Sequence, residues 1–98
     1  MKKKVIFSWV DGFYGFSLFS DMKETDVEKD AILTQEDATA FGYENVEQLA
    51  RAIVGGDPRN VWREGNQIDT SVELDGNDTH EVIRQLLKRS EAIKVILK

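Results

Sequence analysis

A chain of 98 residues has the length of one domain. Its 41% hydrophobic and 32% charged content suits a globular fold rather than a disordered acidic tail or a membrane-spanning protein. It has no cysteine, which excludes a disulfide framework, a thiolate nucleophile and a cysteine-ligated zinc or iron–sulfur site, and its net charge of −5 argues against general affinity for nucleic acid or an anionic membrane.

The N-terminus places Lys2, Lys3 and Lys4 before an apolar stretch from Val5 to Val10. Asp11-Gly12 interrupts that stretch too early for a secretory h-region, and no small-residue cleavage site follows promptly. A cytoplasmic protein is the expectation. Asp11-Gly12 between two aromatic-rich runs is instead the strongest local signal for a two-residue hairpin. That turn predicts the pairs Val10/Phe13, Trp9/Tyr14, Ser8/Gly15, Phe7/Phe16, Ile6/Ser17 and Val5/Leu18. Alternation along the strands puts Trp9/Tyr14, Phe7/Phe16 and Val5/Leu18 on one wholly apolar face, assigned to the core. The opposite face carries Ile6, Val10, Phe13 and Phe19 among Ser8, Gly15 and Ser17, with too little charge for a plain solvated surface. It is a candidate interface, to a partner or to a second copy, unless the chain itself covers it.

Residues 21–30 are charged without a period and read as a loop. Thr34 to Asp37 resembles a capping box opening a short helix that ends at Gly42. Asn45 caps a second helix with Val46, Leu49, Ala50 and Ile53 along one stripe, and Gly55-Gly56 followed by Asp57-Pro58 ends it. A second hairpin is expected over Asn60–Arg63 and Gln67–Leu74, the latter alternating Ile68, Thr70, Val72 and Leu74 with polar residues. Asp78 to Glu81 opens another helix that buries Val82, Ile83, Leu86 and Leu87. Ile93, Val95 and Leu97 suggest a closing strand over 92–97. The order β-β-α-α-β-β-α-β implies a single α+β domain, a two-layer sandwich of a mainly antiparallel sheet with helices on one face.

The charge is unevenly placed. Residues 21–47 hold nine acids against Lys23 and Lys29, a net −7, whereas residues 1–20 carry +2 and residues 48–98 balance eight acids with eight bases. Such a one-sign region attracts a basic surface and speeds encounter with it. Asp21, Glu24, Asp26, Glu28, Asp30, Glu36 and Asp37 are therefore the candidate partner-binding residues, against the plainer alternative of acids that only solubilise.

Signals for chemistry are sparse. Asp75, Asn77 and Thr79 begin like a calcium loop, but His80 stands where glycine is needed and Leu86 where the closing glutamate should be. A tight turn feeding a helix cap explains the same residues, so no metal and no cofactor is expected. His80, the single histidine, could serve as a general base oriented by Asp75 or Asp78. No serine lies in a nucleophile elbow, and no phosphate loop occurs. Arg59, Trp62 and Arg63 could hold a small anion and stack a planar ligand, although such a tryptophan is commonly core.

The stretch from Asp11 to Met22 resembles the hairpin of HicB-type antitoxins, in which Asp-Gly precedes an aromatic strand ending in Pro-Asp. It covers at most a third of the chain, and Ser20 stands here in place of that proline. The leading expectation is a small acidic, non-enzymatic protein-binding module acting on a basic, nucleic-acid-handling partner without touching nucleic acid or membrane. An inhibitor or antitoxin-like regulator is one form of it. The alternative is a homodimeric domain that binds a small anionic ligand.

Overall fold

The computed structural model describes residues 1–10, 12–55 and 67–97, the side chains of Val10 and of residues 93–97 excepted. The described residues form β1 (Lys2–Val10), β2 (Phe13–Phe19), β3 (Val27–Ile32), α1 (Gln35–Ala40), α2 (Val46–Val54), β4 (Gln67–Glu73) and α3 (Thr79–Leu97). The strands make one antiparallel sheet in the order β3-β2-β1-β4. With the helices packed against it, this is an α+β fold of the expected class. No described helix is long and apolar enough to cross a membrane.

The first hairpin has the register that its turn dictates: Val10 pairs with Phe13, Trp9 with Tyr14, Phe7 with Phe16 and Val5 with Leu18. Gly12 supplies the positive φ, +78°, that such a turn requires. One sheet face therefore presents Val5, Phe7, Trp9, Phe16 and Leu18, all buried, and β4 extends it with Ile68 and Val72. Leu49, Ala50 and Ile53 of α2 and Val82, Ile83 and Leu86 of α3 close the same core from above. Asn45 caps α2 by accepting from the Gln48 amide, and Thr34 with Asp37 makes the capping box of α1.

Two segments differ from the sequence reading. Residues 27–32, the first four of which fall in the charged stretch that reads as a loop, form the strand β3, which among the described strands pairs only with β2 at one edge of the sheet. An edge strand with only Lys29 and Ala31 turned toward the core needs no apolar alternation, so its charges hide it. Residues 92–97, taken for a strand, continue α3. No glycine or proline lies between Thr79 and Leu97, and each added helical residue gains a hydrogen bond at little further cost. The strand expected at 60–63 lies outside the described residues.

The register of β3 shifts beside β2: Leu18 pairs with Lys29 but Phe19 with Val27, leaving Glu28 as a bulge. The bulge lets Glu28 meet Lys3 at the rim of the core. The Lys3 ammonium, 3% exposed, donates to both Glu28 carboxylate oxygens at 3.0 and 2.8 Å and to the Gly76 carbonyl at 2.7 Å. Its three protons are all placed. Lys29 donates in turn to the Asn77 carbonyl at 3.1 Å. The loop between β4 and α3 is thereby tied across the sheet to its far edge.

Gly55 ends α2 at φ +80°, ψ −167°, a conformation that is essentially glycine's alone. A Cβ there would also overlap the Ser90 hydroxyl, which is buried and has no hydrogen-bond partner among the described residues. Gly55→Ala is expected to lower stability in urea by about 2–4 kcal/mol. Ser90→Ala, which removes an unsatisfied buried hydroxyl, should lie within ~0.5 kcal/mol of the parent or above it. The double variant should lose less than the sum of the two. A Gly55→Ala midpoint equal to the parent's would refute this account of the α2–α3 contact.

Candidate functional site

The described helices pack on the core face of the sheet, and among the described residues no helix lies on the second face. Phe13 and Ile32 on it are each 62% exposed, and Val27 is 52% exposed. Ile32 pairs with Gly15, and Phe13 stands two residues before Gly15 on the same side of β2. Gly15 has no Cβ to fill the space between them, and one would approach the Ala31 carbonyl oxygen to 2.5 Å. The glycine thus lets β3 come close and leaves an open floor. The resulting groove, of about 350 Å³, is lined by Phe13, Gly15, Ile32, Ser8, Ser17 and Asp30. The Ser17 hydroxyl donates to Asp30 at 2.5 Å and holds that carboxylate at the groove wall.

The candidate interface residues divide on this face. Phe13 is exposed, Ile6 half-buried and Phe19 buried, while nothing about the Val10 side chain is described. Phe19 lies outside the main core, beside Lys4 and Val27 on the outer face. Lys4 pairs with Asp69 across β1–β4 and with Glu24 at 3.7 Å, which brings the β2–β3 loop over this end of the sheet. The bond to Asp69, followed by the attraction of both carboxylates, raises the Lys4 pKa above its ordinary value. Phe19 is therefore part of a small covered cluster, and the accessible anchor is Phe13 with Ile32. Ile32 follows directly on the charged stretch 21–30 that reads as a loop, and nothing local marks it as part of a strand. Its pairing with Gly15 follows only once β3 is recognised as a strand.

The candidate acids also divide by what they do. Asp21 organises the β2–β3 loop, accepting from the Thr25 hydroxyl and from the amides of Lys23 and Thr25 at 3.0 and 3.2 Å. The Thr25 hydroxyl is the main cause that holds the Asp21 carboxyl below its ordinary pKa. The loop contacts are accordingly present at neutral pH and lost as pH falls through that lowered value. Asp26 accepts from the Ser20 hydroxyl at 3.3 Å, and Glu24 holds the positive φ of 61° in this loop. Glu28 is committed to Lys3. Asp37 is buried, accepts from the Thr34 amide and hydroxyl at 2.9 and 3.0 Å, and lies 2.9 Å from His80 Nε2. Glu36, in the first turn of α1, is exposed. Asp30 is the member of the set that lines the groove.

His80 is thus oriented by Asp37, not by Asp75 or Asp78. A carboxylate that already accepts two bonds from Thr34 requires the proton on Nε2, which leaves Nδ1 as the ring's acceptor when neutral. The ring also meets Phe41 edge-on at 5.4 Å. This arrangement fastens the start of α3 to α1. In the loop before α3, the Gly76 and Asn77 carbonyls accept from Lys3 and Lys29, and the Met1 ammonium pairs with Glu73 at 3.3 Å and Asp75 at 3.5 Å. Among the described residues no group of three or more His, Asp or Glu side chains is placed to hold a metal ion. Arg59, Trp62 and Arg63 lie outside the described residues.

The division of the acids has a measurable consequence. Glu28→Gln strands the buried Lys3 ammonium without a counter-charge and is expected to cost about 3 kcal/mol in urea unfolding. Asp30→Asn, at an exposed position, should change stability by less than ~1 kcal/mol. Lys3→Met combined with Glu28→Gln should recover most of the loss, because no unpaired buried charge remains. Equal costs for Glu28→Gln and Asp30→Asn would remove the distinction.

No protein-family model matches the chain, and neither a curated protein nor a solved structure matches it.

Proposed function

We propose that the protein is a non-enzymatic binding module whose outer sheet face docks a protein partner with a basic surface. The observation that carries this reading is the groove around Gly15, where two apolar side chains, each 62% exposed, flank an open floor beside Asp30. Phe13 and Ile32 supply the desolvated anchor that protein interfaces concentrate their affinity in. Asp30 lines the groove, and Asp26 and Glu24 lie on the loop that leads into β3, toward the Lys4 end of the sheet; their charge favours a basic neighbour and speeds its arrival. An inhibitor or antitoxin-like regulator of a nucleic-acid-handling protein is the specific form of this role that such charge suits. A second copy of the chain fits less well, since two such faces would both bring Asp30 and Glu24 to the interface and set like charge beside like.

The test is affinity capture from the native host lysate after nuclease treatment, using the parent chain, Phe13→Ser/Ile32→Ser and Asp30→Lys at low and high salt. The expected result is one stoichiometric protein that the parent retains at low salt and releases at high salt. The double apolar variant should weaken it roughly tenfold or more, and charge reversal at Asp30 should lower capture at low salt and flatten its dependence on salt. Capture that is equal for all three chains, or absent for the parent, would overturn the proposal. Unchanged melting of the variants establishes that binding and not folding was altered.

A further inference from the structure

On the opposite edge of the sheet from β3, α3 overhangs β4 and leaves a groove of about 320 Å³. Ser71 and Glu73 of β4 and Gln85, Lys88 and Arg89 of α3 line it. Arg89 is half-buried, and its Nη1 is fully buried with no hydrogen-bond partner among the described residues. A guanidinium is always charged, and a buried N–H without an acceptor forfeits its hydration without compensation. The carboxylate in the groove, Glu73, is engaged with the Met1 ammonium, and its backbone carbonyl accepts from Gln85 at 3.3 Å. Arg84, the next arginine on α3, is occupied by Glu81. Lys88 is exposed beside Arg89 and adds a second positive charge to the same opening.

We infer that this groove is an oxyanion site, in which Arg89 takes a carboxylate or phosphate group through its fork and Lys88 adds a point charge. The planar fork matches two oxygens of either group, and the partly exposed face of Arg89 gives the anion access. Once the anion is seated, the guanidinium can turn its unmet N–H toward it. Ser71 and the second Nε2 proton of Gln85 are neutral donors in the same groove. This site lies on β4 and α3, remote in sequence from the Gly15 groove, and does not depend on the role proposed for that face.

Melting of the full chain in rising inorganic phosphate, in acetate, and in chloride at matched ionic strength tests the assignment. The expected result is a midpoint that rises with phosphate or acetate beyond chloride and follows the saturating form of single-site binding. A rise with phosphate alone identifies a phosphate-bearing ligand; a rise with both identifies a general oxyanion site. Arg89→Met should melt no lower than the parent in chloride and should lose the rise, and Lys88→Gln should weaken it. The Arg89 Nε–Hε resonance of the parent should shift with the same saturation, which preserves the test even if Arg89→Met fails to fold. No rise beyond chloride, an equal rise in Arg89→Met, or an unmoved Arg89 resonance would each overturn the inference.

Discussion

The pairing of Phe7 with Phe16 sits at the centre of a hairpin whose register is held by a two-residue turn, with Gly12 at positive φ. Side chains alternate with a period of two, so a slip of one residue would exchange the two faces of the sheet. Val5, Phe7, Trp9 and Leu18 would then meet water, and Ser8, Ser17 and Gly15 would face α2 and α3. The core and the open face are two results of the same constraint. Whatever binds at Gly15 depends on the turn at Gly12 as much as on the groove itself.

Charge is divided between two duties along a short length of chain. Lys3 is drawn into the rim of the core because β1 needs an inward residue there, and the bulge at Glu28 provides the counter-charge that makes this tolerable. Asp37 likewise serves the interior, joining a helix cap to the start of α3 through His80. Asp21 serves the loop. Of the remaining exposed acids, Glu24, Asp26 and Asp30 lie on β3 and the loop before it, and Glu36, Glu44 and Glu47 lie on α1, before α2 and on α2, so the acidic excess of residues 21–47 is partly architecture and partly surface. Its surface share is smaller than the formal count of −7 implies.

The hairpin was legible in the chain to the residue, because a two-residue turn and alternating aromatics leave one register. The helix over Val46–Val54 was equally clear, since its cap, its apolar stripe and its terminating glycine all agree. β3 was not legible. Its position is set by pairing with β2, a nonlocal interaction, and its six residues carry three charges. The end of α3 misled for the opposite reason: Ile93, Val95 and Leu97 alternate like a strand, yet helix propagation from Thr79 meets no breaker. The candidate site was half visible. Phe13 stands out from the hairpin alone, whereas Ile32 enters only through the β2–β3 pairing, and the exclusion of Phe19 only through the loop that returns over Lys4. Neither the bond between His80 and Asp37 nor the exposure of Arg89 to a groove leaves a local trace, because each joins segments distant in sequence.

An open sheet has rims as well as faces, and a rim of unpaired backbone groups invites further strands. β3 is such a rim, and the displaced residue at Glu28 spoils its straightness, while Lys29 and Asp30 place opposite charges along it. A foreign strand laid against β3 would lose its alignment at the bulge and meet fixed charge on either side. This discourages fibre-like growth of the sheet by addition of identical chains. It also sets the direction of approach for any protein that binds here: it must land broadside on the sheet, over Phe13 and Ile32, rather than lengthen it.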